Sequence, residues 1–284
     1  MRIRLSVSPD ADDLFMVRAL LEGAIDTGRY RFEIGNSPTD ALNRLASDDD
    51  APEVLAISIG HYPRIADRYQ LLPHGGSMGD GYGPVVVGRA AGSLGDLHRA
   101  KLAIPGETTT AWLVLRILLG REIVPDAIVV PIAPHERVFE ALDRREVDYA
   151  LLIHEGRLTY PSRGLTRIVD LGEAWAARTG GLPLPLGGNV IRRDLGPEVI
   201  RELSGLLRAS IRWALDDRDG SIAWLLARGG ALKTADEVSR YLGMYANART
   251  VDYGDDGRAA IADLFDRAVS AGLLDRAPPV DFAP

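Results

Sequence analysis

A histidine and a carboxylate stand at the end of a short apolar run in the segment Asp148–Glu155. The run is short enough to form one buried strand, and α/β proteins place their chemistry at the carboxyl ends of such strands. Because imidazole titrates near neutral pH, His154 is a candidate general base, with Glu155 beside it. A lone histidine is more often a hydrogen-bonded structural residue, so this interpretation depends on the other loops of the chain.

The loop after the first predicted strand carries three aspartates, Asp10, Asp12 and Asp13. The simpler interpretation is structural, because Asp10 can cap the next helix and Asp13 can complement its positive N-terminus. The alternative is that the loop lines a ligand site, to which Asp12 would contribute. The residue types alone leave both interpretations open.

Three threonines end the loop Pro105–Thr110, which lies between a predicted strand, Lys101–Ile104, and a helix that starts near Ala111. The free N–H groups of a helix N-terminus, together with hydroxyls, can bind a carboxylate. One threonine is needed as the helix cap. The loop therefore has more threonines than capping requires, which makes Thr109 and Thr110 candidates for ligand binding but does not show that a ligand binds.

Two further loops carry candidates. In Ile57–Tyr62, at another strand end, Ser58 can donate to an oxyanion and His61 is either a second base or a cleft-wall residue. Turn chemistry is the structural alternative for this loop. The glycines of Gly79–Pro84 permit close backbone approach around Tyr82, but no phosphate-loop lysine follows, which excludes a nucleotide motif.

The elements that must position these residues alternate between short apolar runs and helical patterns. This alternation predicts βαβ organisation. The predicted strands are Arg2–Val7, Arg31–Ile34, Val54–Ile59, Pro84–Val87, Lys101–Ile104, Ala127–Ile132, the run before His154, and Asn189–Arg192. The predicted helices are Asp13–Leu21, Thr39–Ala46, Ala111–Leu119, His135–Leu142, Pro197–Leu215, Ile222–Leu226, Thr234–Met244 and Gly257–Ala271.

Two glycine-containing passages, Gly88–Gly95 and Leu182–Gly188, predict crossings between lobes near residues 88–95 and 184–190. We expect one lobe to contain residues 1–90 and 189–284, and the other to contain residues 91–188. Two α/β lobes joined in this way would enclose a central cleft, and such clefts bind small molecules.

Composition narrows the class of function. A chain of 284 residues with 46% hydrophobic content can bury a substantial core. The formal charge of −7, with both signs mixed along the chain, predicts binding neither to nucleic acid nor to an anionic membrane. The absence of cysteine excludes disulfides and thiolate chemistry. No signal peptide or membrane-spanning run is visible, so we expect a cytoplasmic protein.

Several segments, taken in order, resemble the 1,4-dihydroxy-6-naphthoate synthase family of the futalosine route to menaquinone, within a wider family that includes chorismate dehydratase. The segments are Asp67–Leu72, Gly81–Val87, Ile104–Ala111, Glu146–Tyr160, Val169–Glu173, Leu182–Gly188, Tyr241–Asn247 and Thr250–Gly254. Their order and spacing carry the resemblance across nearly the whole chain. It implies an α/β, two-lobed periplasmic-binding-protein-like fold with a central ligand cleft.

The resemblance also implies a carbon–carbon lyase that converts cyclic dehypoxanthinyl futalosine, a carboxylated small molecule, to 1,4-dihydroxy-6-naphthoate. No metal and no redox cofactor is required. His154 matches the family's base, and Thr109 and Thr110 match its threonine pair. With Ser58, the threonines would hold the carboxylate or sugar oxygens of the substrate. The other substrate-binding candidates are Asp12, His61, Tyr82, Leu186 and Gly187.

The first loop departs from the family pattern. The family reads Ser-Pro-Cys-Pro-Asn-Asp-Thr-Phe, whereas this chain has Asp10, Ala11, Asp12 and Leu14 at the changed positions. Asp12 in place of asparagine adds charge beside a pocket expected to hold a carboxylate. Tyr82 replaces a cysteine of the later glycine loop. The alternative function is therefore a diverged paralogue that binds a small carboxylate without this turnover.

Two other classes share the expected architecture: solute receptors of transporters and ligand-binding domains of regulators. A receptor usually needs export or a lipid anchor, and a transcription regulator needs an added DNA-binding domain. We expect neither, since the first strand begins at Arg2. The sequence leaves open whether the chain forms a homodimer and whether Glu155 assists His154.

Overall fold

A computed structural model describes residues 1–131 and 136–284 of the chain. Its strands are β1 (Arg2–Val7), β2 (Arg31–Asn36), β3 (Val54–Ser58), β4 (Tyr69–Leu71), β5 (Ser77–Gly79), β6 (Val85–Gly88), β7 (Lys101–Ile104), β8 (Asp126–Val129), β9 (Tyr149–Leu152), β10 (Thr166–Asp170) and β11 (Leu184–Arg192). They form two sheets. The predicted α/β class is confirmed.

The first sheet has the order β2-β1-β3-β11-β4, with β5 also paired to β11. Strand β1 runs parallel to β2 and β3, whereas β11 runs antiparallel to β3, β4 and β5. The second sheet has the order β10-β6-β9-β7-β8, in which β7 is parallel to β8 and β9. Each sheet with its helices is called a lobe below, the first containing β1 and the second containing β6.

The α-helices are α1 (Ala11–Leu21), α2 (Thr39–Ala46), α3 (Thr110–Leu119), α4 (Glu136–Asp143), α5 (Gly156–Thr159), α6 (Leu171–Thr179), α7 (Pro197–Asp216), α8 (Arg218–Arg228), α9 (Ala235–Tyr245), α10 (Ala248–Val251) and α11 (Gly254–Ser270). Short 3₁₀ helices lie at Ile59–Arg64, Leu94–Leu97, Tyr160–Arg163 and Arg193–Leu195. No helix in the described residues is both long enough and apolar enough to cross a membrane.

Helix α7 shows why the C-terminal third returns to the first lobe. Its apolar residues Ile200, Leu203 and Leu207 recur at the three- and four-residue spacing that gives a helix one apolar face. That face packs in one buried cluster with Ile3 and Leu5 of β1. Burial of this face, at roughly 1.5–3 kcal/mol per large apolar side chain, holds the helical region on the first sheet.

The division of the chain between lobes differs from the expected one. Strand β6 lies inside the second sheet, between β9 and β10, although residues 1–90 were expected in the first lobe. Its four residues are all buried, so the pairing satisfies its backbone and covers its apolar side chains. The passage expected to be a crossing, Gly88–Gly95, is largely exposed after Gly88. The chain instead crosses at residues 80–84, between β5 and β6, and returns before β11.

A close backbone approach supports the first crossing. A side-chain carbon built at Gly172 would lie 2.0 Å from the carbonyl carbon and oxygen of Tyr82. Only glycine permits such contact without moving the backbone. The N-terminus of α6 is thereby packed directly against the crossing segment.

Most predicted helices and strands agree with the structure within a few residues. The return strand β11 begins at Leu184, five residues before the predicted Asn189. The predicted ends at Ile132 and His135 lie outside the described residues.

Candidate active site

A cleft that is partly open to solvent lies between the two lobes. Both sheets contribute loops to it, as expected where strand ends of two lobes face each other. Its polar lining comprises Ser8, Asp12, Asp13, Thr39, Ser58, Ser77, Thr109, Thr110, His154, Tyr241 and Tyr245. Apolar walls come from Leu42, Ile57, Pro84, Ile153 and Leu186.

His154 directly follows the Ile153 that leaves β9, in the left-handed backbone region with φ of 49°. A non-glycine residue in that region is uncommon and is often found at functional sites. The imidazole is 24% exposed and lies between two polar partners. Its Nδ1 is 3.4 Å from Oδ2 of Asp10, and its Nε2 is 3.3 Å from Oγ1 of Thr39.

The charges around His154 decide its protonation. Burial by itself lowers the pKa of the imidazole, but the carboxylates of Asp10, Glu155, Asp12 and Asp13 outweigh burial and raise that pKa above its usual value. The free protein therefore holds more of this histidine as the imidazolium at neutral pH than a histidine in water. The ring can pair with an anion in that form, and it becomes a base once the proton has left.

Asp12 reaches the cleft, but both its oxygens have hydrogen bonds. Oδ2 accepts from the Ser77 hydroxyl at 2.6 Å, and Oδ1 accepts from the Tyr241 hydroxyl at 2.9 Å. Asp13 is similarly engaged, since its Oδ2 accepts from the backbone N–H of Ser8 at 2.6 Å. Burial raises the pKa of both carboxyl groups above the usual value. Asp12 and Asp13 therefore line the cleft and also hold its wall together through these hydrogen bonds.

Glu155 faces a neighbouring cavity and does not line the cleft. Burial, followed by the charge of Asp10, raises the pKa of Glu155 to about 7. Within the described residues, no hydrogen bond or ion pair joins its carboxylate to the His154 ring. Glu155 therefore acts on the imidazole through its charge alone.

Ser58 lies in the cleft wall at the end of β3, held by Asn43 of α2. The Asn43 amide donates to Oγ of Ser58 at 3.1 Å and accepts from its backbone N–H at 2.9 Å. Because the serine oxygen accepts this bond, the hydroxyl proton remains for an acceptor in the cleft. The role of Ser58 as a donor to a ligand stays a prediction.

The two threonines line the cleft but use their hydroxyls within the protein. Thr109 caps α3, since its Oγ1 accepts from the N–H of Trp112 at 3.3 Å, and it donates to the carbonyl of Gly106 at 2.8 Å. Thr110 accepts from the N–H of Gly60 at 2.9 Å and donates to the Leu186 carbonyl at 2.6 Å. Their hydroxyls thus shape the site, and the N-terminal N–H groups of α3 are the freer donors.

His61 and Tyr82 are not brought to the cleft. The His61 ring is 2% exposed and lies 3.1 Å from the Ser47 hydroxyl, and burial lowers its pKa to about 4. The Tyr82 hydroxyl donates to the Met244 carbonyl at 2.5 Å, and its ring packs edge-on against Tyr245. The 3₁₀ turn after β3 directs His61 toward α2, and the crossing directs Tyr82 toward α9. Both serve packing.

Comparison with known proteins decides the family. A family profile described as menaquinone biosynthesis matches residues 3–270. The chain belongs to the menaquinone biosynthesis family. Two relatives named 1,4-dihydroxy-6-naphtoate synthase match nearly the whole chain. The Streptomyces coelicolor protein is 35% identical over 96% of this chain and 94% of its own, and the Thermus thermophilus protein is 36% identical over 97% of each. The resemblance seen in the sequence is confirmed.

Solved structures show the fold of this menaquinone biosynthesis family member. Protein AF1704 from Archaeoglobus fulgidus superposes with a TM-score of 0.87 at 37% identity, covering 96% of this chain and 98% of its own. The alkanesulfonate-binding protein SsuA from Xanthomonas axonopodis, bound to MOPS, has a TM-score of 0.69 at 14% identity, covering 99% and 96%. The Escherichia coli periplasmic sulphonate-binding protein SsuA has a TM-score of 0.63 at 12% identity, covering 98% and 90%. The predicted periplasmic-binding-protein-like fold is confirmed.

Several lining residues of this family member were not predicted from its sequence. Thr39 follows a proline at the start of α2, and Ser77 lies on the short strand β5, where no pattern suggests function. Tyr241 and Tyr245 are four residues apart on α9, a spacing that places them on one helix face. That spacing was the one available signal, and it is equally typical of core packing.

The cleft as a whole suits a mostly apolar ligand with a few oxygens. Leu186 and Gly187 of β11 line it, as their predicted wall position requires. Among the described lining residues, His154 is the one side chain that can carry positive charge. An anionic ligand would therefore depend on this imidazolium and on N–H and O–H donors.

Proposed function

We propose that this protein is a 1,4-dihydroxy-6-naphthoate synthase. In this role it is a carbon–carbon lyase that converts cyclic dehypoxanthinyl futalosine to 1,4-dihydroxy-6-naphthoate during menaquinone biosynthesis. The observation that carries the proposal is the His154 ring, which lies at the cleft of a chain whose relatives bear this name. The apolar walls fit the ring system of such a substrate.

In the proposed reaction, the neutral imidazole removes a proton from a substrate hydroxyl. The O–H electron pair becomes the π bond of a new carbonyl, and the neighbouring carbon–carbon bond breaks. Its electrons pass to the ring fragment, which the imidazolium then protonates, so that charge and atoms balance. Formation of an aromatic product drives the step, and His154 acts first as base and then as acid.

The substrate carboxylate would be held by donors from both lobes. The Ser58 hydroxyl would donate from the first lobe, and the first N–H groups of α3, at Thr110 and Ala111, have no partner within the helix. The helix dipole adds favourable charge at that end. This assigns binding to backbone donors of the threonine segment, while the threonine hydroxyls hold its shape.

The test compares wild-type protein with His154→Asn in an anaerobic assay that follows product by mass and absorbance. Asparagine suits this position because it tolerates left-handed backbone and cannot act as a base near neutral pH. We expect at least a 100-fold loss of kcat, the range typical of a general base. His98→Asn, at an exposed histidine, is the matched control. A folded wild-type protein that makes no product would refute the proposal.

One observation favours a second candidate, carboxylate binding without turnover. The acids around His154 raise its pKa, which favours an imidazolium able to pair with an anion. In that case titration calorimetry would show substrate binding to the wild type, with no product formed. Binding would weaken as the pH rises through the titration of His154, because the positive charge is lost.

We further propose that the protein works in the cytoplasm, where its aromatic product would be passed to later biosynthetic enzymes. Cell fractionation with an antibody to the chain tests this location. Detection of the chain only in an envelope fraction would contradict it. Sedimentation of the purified chain tests for the homodimer, which the proposed reaction does not require.

A further inference from the structure

Asp10 occupies the N-cap position of α1 but does not cap the helix. Its backbone is extended, with φ of −70° and ψ of 157°, as an N-cap residue requires. Its side chain nevertheless makes no cap hydrogen bond. An aspartate in this position normally accepts from the N–H groups of the first turn and stabilises the helix by about 1 kcal/mol. The carboxylate is turned elsewhere.

The carboxylate is directed to the second lobe, where it lines the cavity next to the cleft. Oδ2 accepts a short hydrogen bond from the Ser8 hydroxyl, and the same oxygen lies 3.4 Å from Nδ1 of His154. The side chain is 17% exposed, so solvent screens the contact only in part. Ser8 also accepts from the backbone N–H of Asp10 at 3.3 Å, which holds the loop in this shape.

We propose that Asp10 is the positioning residue of His154, an assignment that rests on the proposed function. Asp10 keeps a proton on Nδ1 and leaves the lone pair on Nε2, where it accepts from the Thr39 hydroxyl at 3.3 Å until substrate takes that place. Nε2 is the nitrogen beside Thr39, which lines the cleft. A carboxylate on one imidazole nitrogen selects the tautomer whose other nitrogen is the base. A distance of 3.4 Å is an ion-pair distance that substrate binding can shorten.

The other acids near the ring cannot take this role. Asp12 and Asp13 face His154 from the same loop, but their oxygens accept from Ser77, Tyr241 and the Ser8 N–H. The acids on other elements are Glu155 and Glu136 of α4, which line the neighbouring cavity together with Asp10. In the described residues no ion pair joins Glu155 to the ring. Within the described residues, Asp10 is the carboxylate at ion-pair distance from the imidazole.

The contact also links orientation to closure of the cleft. Asp10 belongs to the first lobe and His154 to the second, so the two meet only when the lobes are together. The base is then oriented in the closed form and released in the open form. This arrangement would confine proton transfer to a cleft from which water is largely excluded.

The test compares Asp10→Ala with Glu155→Gln, two variants that each remove one negative charge near the ring. Both should lower the pKa of the base and move the acid limb of the kcat profile to lower pH. Only Asp10→Ala should also lower the pH-independent kcat, by roughly tenfold or more, because the imidazole is then no longer held with Nε2 in position to accept the proton. A plateau within twofold of wild type in Asp10→Ala would overturn the proposal.

A second measurement separates this proposal from the proposed reaction. Nitrogen-15 spectra of labelled histidine, assigned with His154→Asn, report the tautomer without turnover. We expect the Nδ1–H tautomer in the wild type and loss of that preference in Asp10→Ala. An Nε2–H tautomer in the wild type would overturn the role of Asp10. If the wild type makes no product, the proposed reaction is refuted. The spectra then still test whether Asp10 orients the His154 ring.

Discussion

The side-chain amide of Asn43 binds Thr108 across the boundary between the lobes. Asn43 lies on α2 of the first lobe and is fully buried, and its Nδ2 donates to Oγ1 of Thr108 at 3.1 Å and to its carbonyl at 3.3 Å. The same amide group contacts Ser58 in the cleft wall. One buried side chain thus holds the two lobes together and also fixes Ser58 in the wall of the candidate active site.

Asn43→Ala should therefore weaken both stability and substrate binding. Removing the amide leaves polar groups of the buried Ser58 and the half-buried Thr108 without this partner, at a cost of roughly 1–3 kcal/mol. We expect KM to rise more than kcat falls, because the variant closes less readily while the base is intact. Urea unfolding and steady-state kinetics check this, with the exposed Asn36→Ala as control. Unchanged KM at reduced stability would limit Asn43 to a structural role.

Two threonine variants should separate helix capping from lobe contact. Thr110→Val keeps the shape but removes the hydroxyl between the Gly60 N–H and the Leu186 carbonyl, and should cost roughly 1–3 kcal/mol. Thr109→Val removes the cap of α3 and should cost about 1 kcal/mol. Both effects are read from urea unfolding. If neither substitution lowers the free energy of unfolding, the hydroxyls do not stabilise the fold, and a role in ligand binding would be favoured.

Asp12→Asn should stabilise the protein at neutral and higher pH. The asparagine can donate to the Ser77 hydroxyl and accept from Tyr241, while Ser77 donates to the Tyr245 carbonyl 3.4 Å away. It avoids a buried charge, which we expect to add roughly 0.5–2 kcal/mol to the free energy of unfolding.

The pH dependence of this gain has a definite sign. Burial raises the pKa of Asp12 in the folded state, so wild-type stability falls as pH rises from the unfolded pKa through the folded one. The advantage of Asp12→Asn should therefore grow with pH and vanish below about pH 4, near the unfolded pKa. Urea unfolding across this range measures it, with the exposed Asp266→Asn as control. A gain independent of pH would contradict the charge argument.

His74 should make the fold sensitive to acid. The ring is fully buried beside the Ser204 hydroxyl, and burial lowers its pKa to about 3. The unfolded chain takes up this proton near pH 6.5, so stability is lost as pH falls below that value. The contribution is about 1.4 kcal/mol per pH unit.

The measurement compares wild type with His74→Asn by urea unfolding between pH 7 and pH 5. The variant cannot bind this proton, so its free energy of unfolding should fall less steeply by about 1.4 kcal/mol per unit. His98→Asn, at an exposed position, should keep the wild-type slope. Parallel slopes for His74→Asn and wild type would show that the proton is taken up elsewhere.

Local patterns predicted most elements because each has a strong periodic signal. The spacing of Ile200, Leu203 and Leu207 identifies α7, and the short apolar runs identify strands such as β3 and β9. The same patterns cannot assign a strand to a sheet. Its position in the chain predicts that β6 belongs to the first lobe, but the strand pairs with β9 and β10 of the second sheet. Such pairing joins residues far apart in the chain, which local patterns do not show.

The site was predicted in part for a similar reason. His154, Ser58 and Asp12 lie at or shortly after strand ends and reach the cleft, because strand ends of both sheets meet there. His61 also follows a strand, but the 3₁₀ turn after β3 directs it into the core. The side-chain direction after a strand depends on a few dihedral angles that residue types do not specify.

The sequence by itself determined the α/β class, the family and the candidate base, since these depend on periodicity and on the order of short segments. Only the tertiary structure decided which carboxylate faces this candidate base. The position of Asp10 before a helix predicts a cap, yet its carboxylate lies beside His154, 144 positions away in the numbered chain. The reason is physical: a cap is a local interaction, whereas this ion pair exists only when the two lobes bring distant loops together.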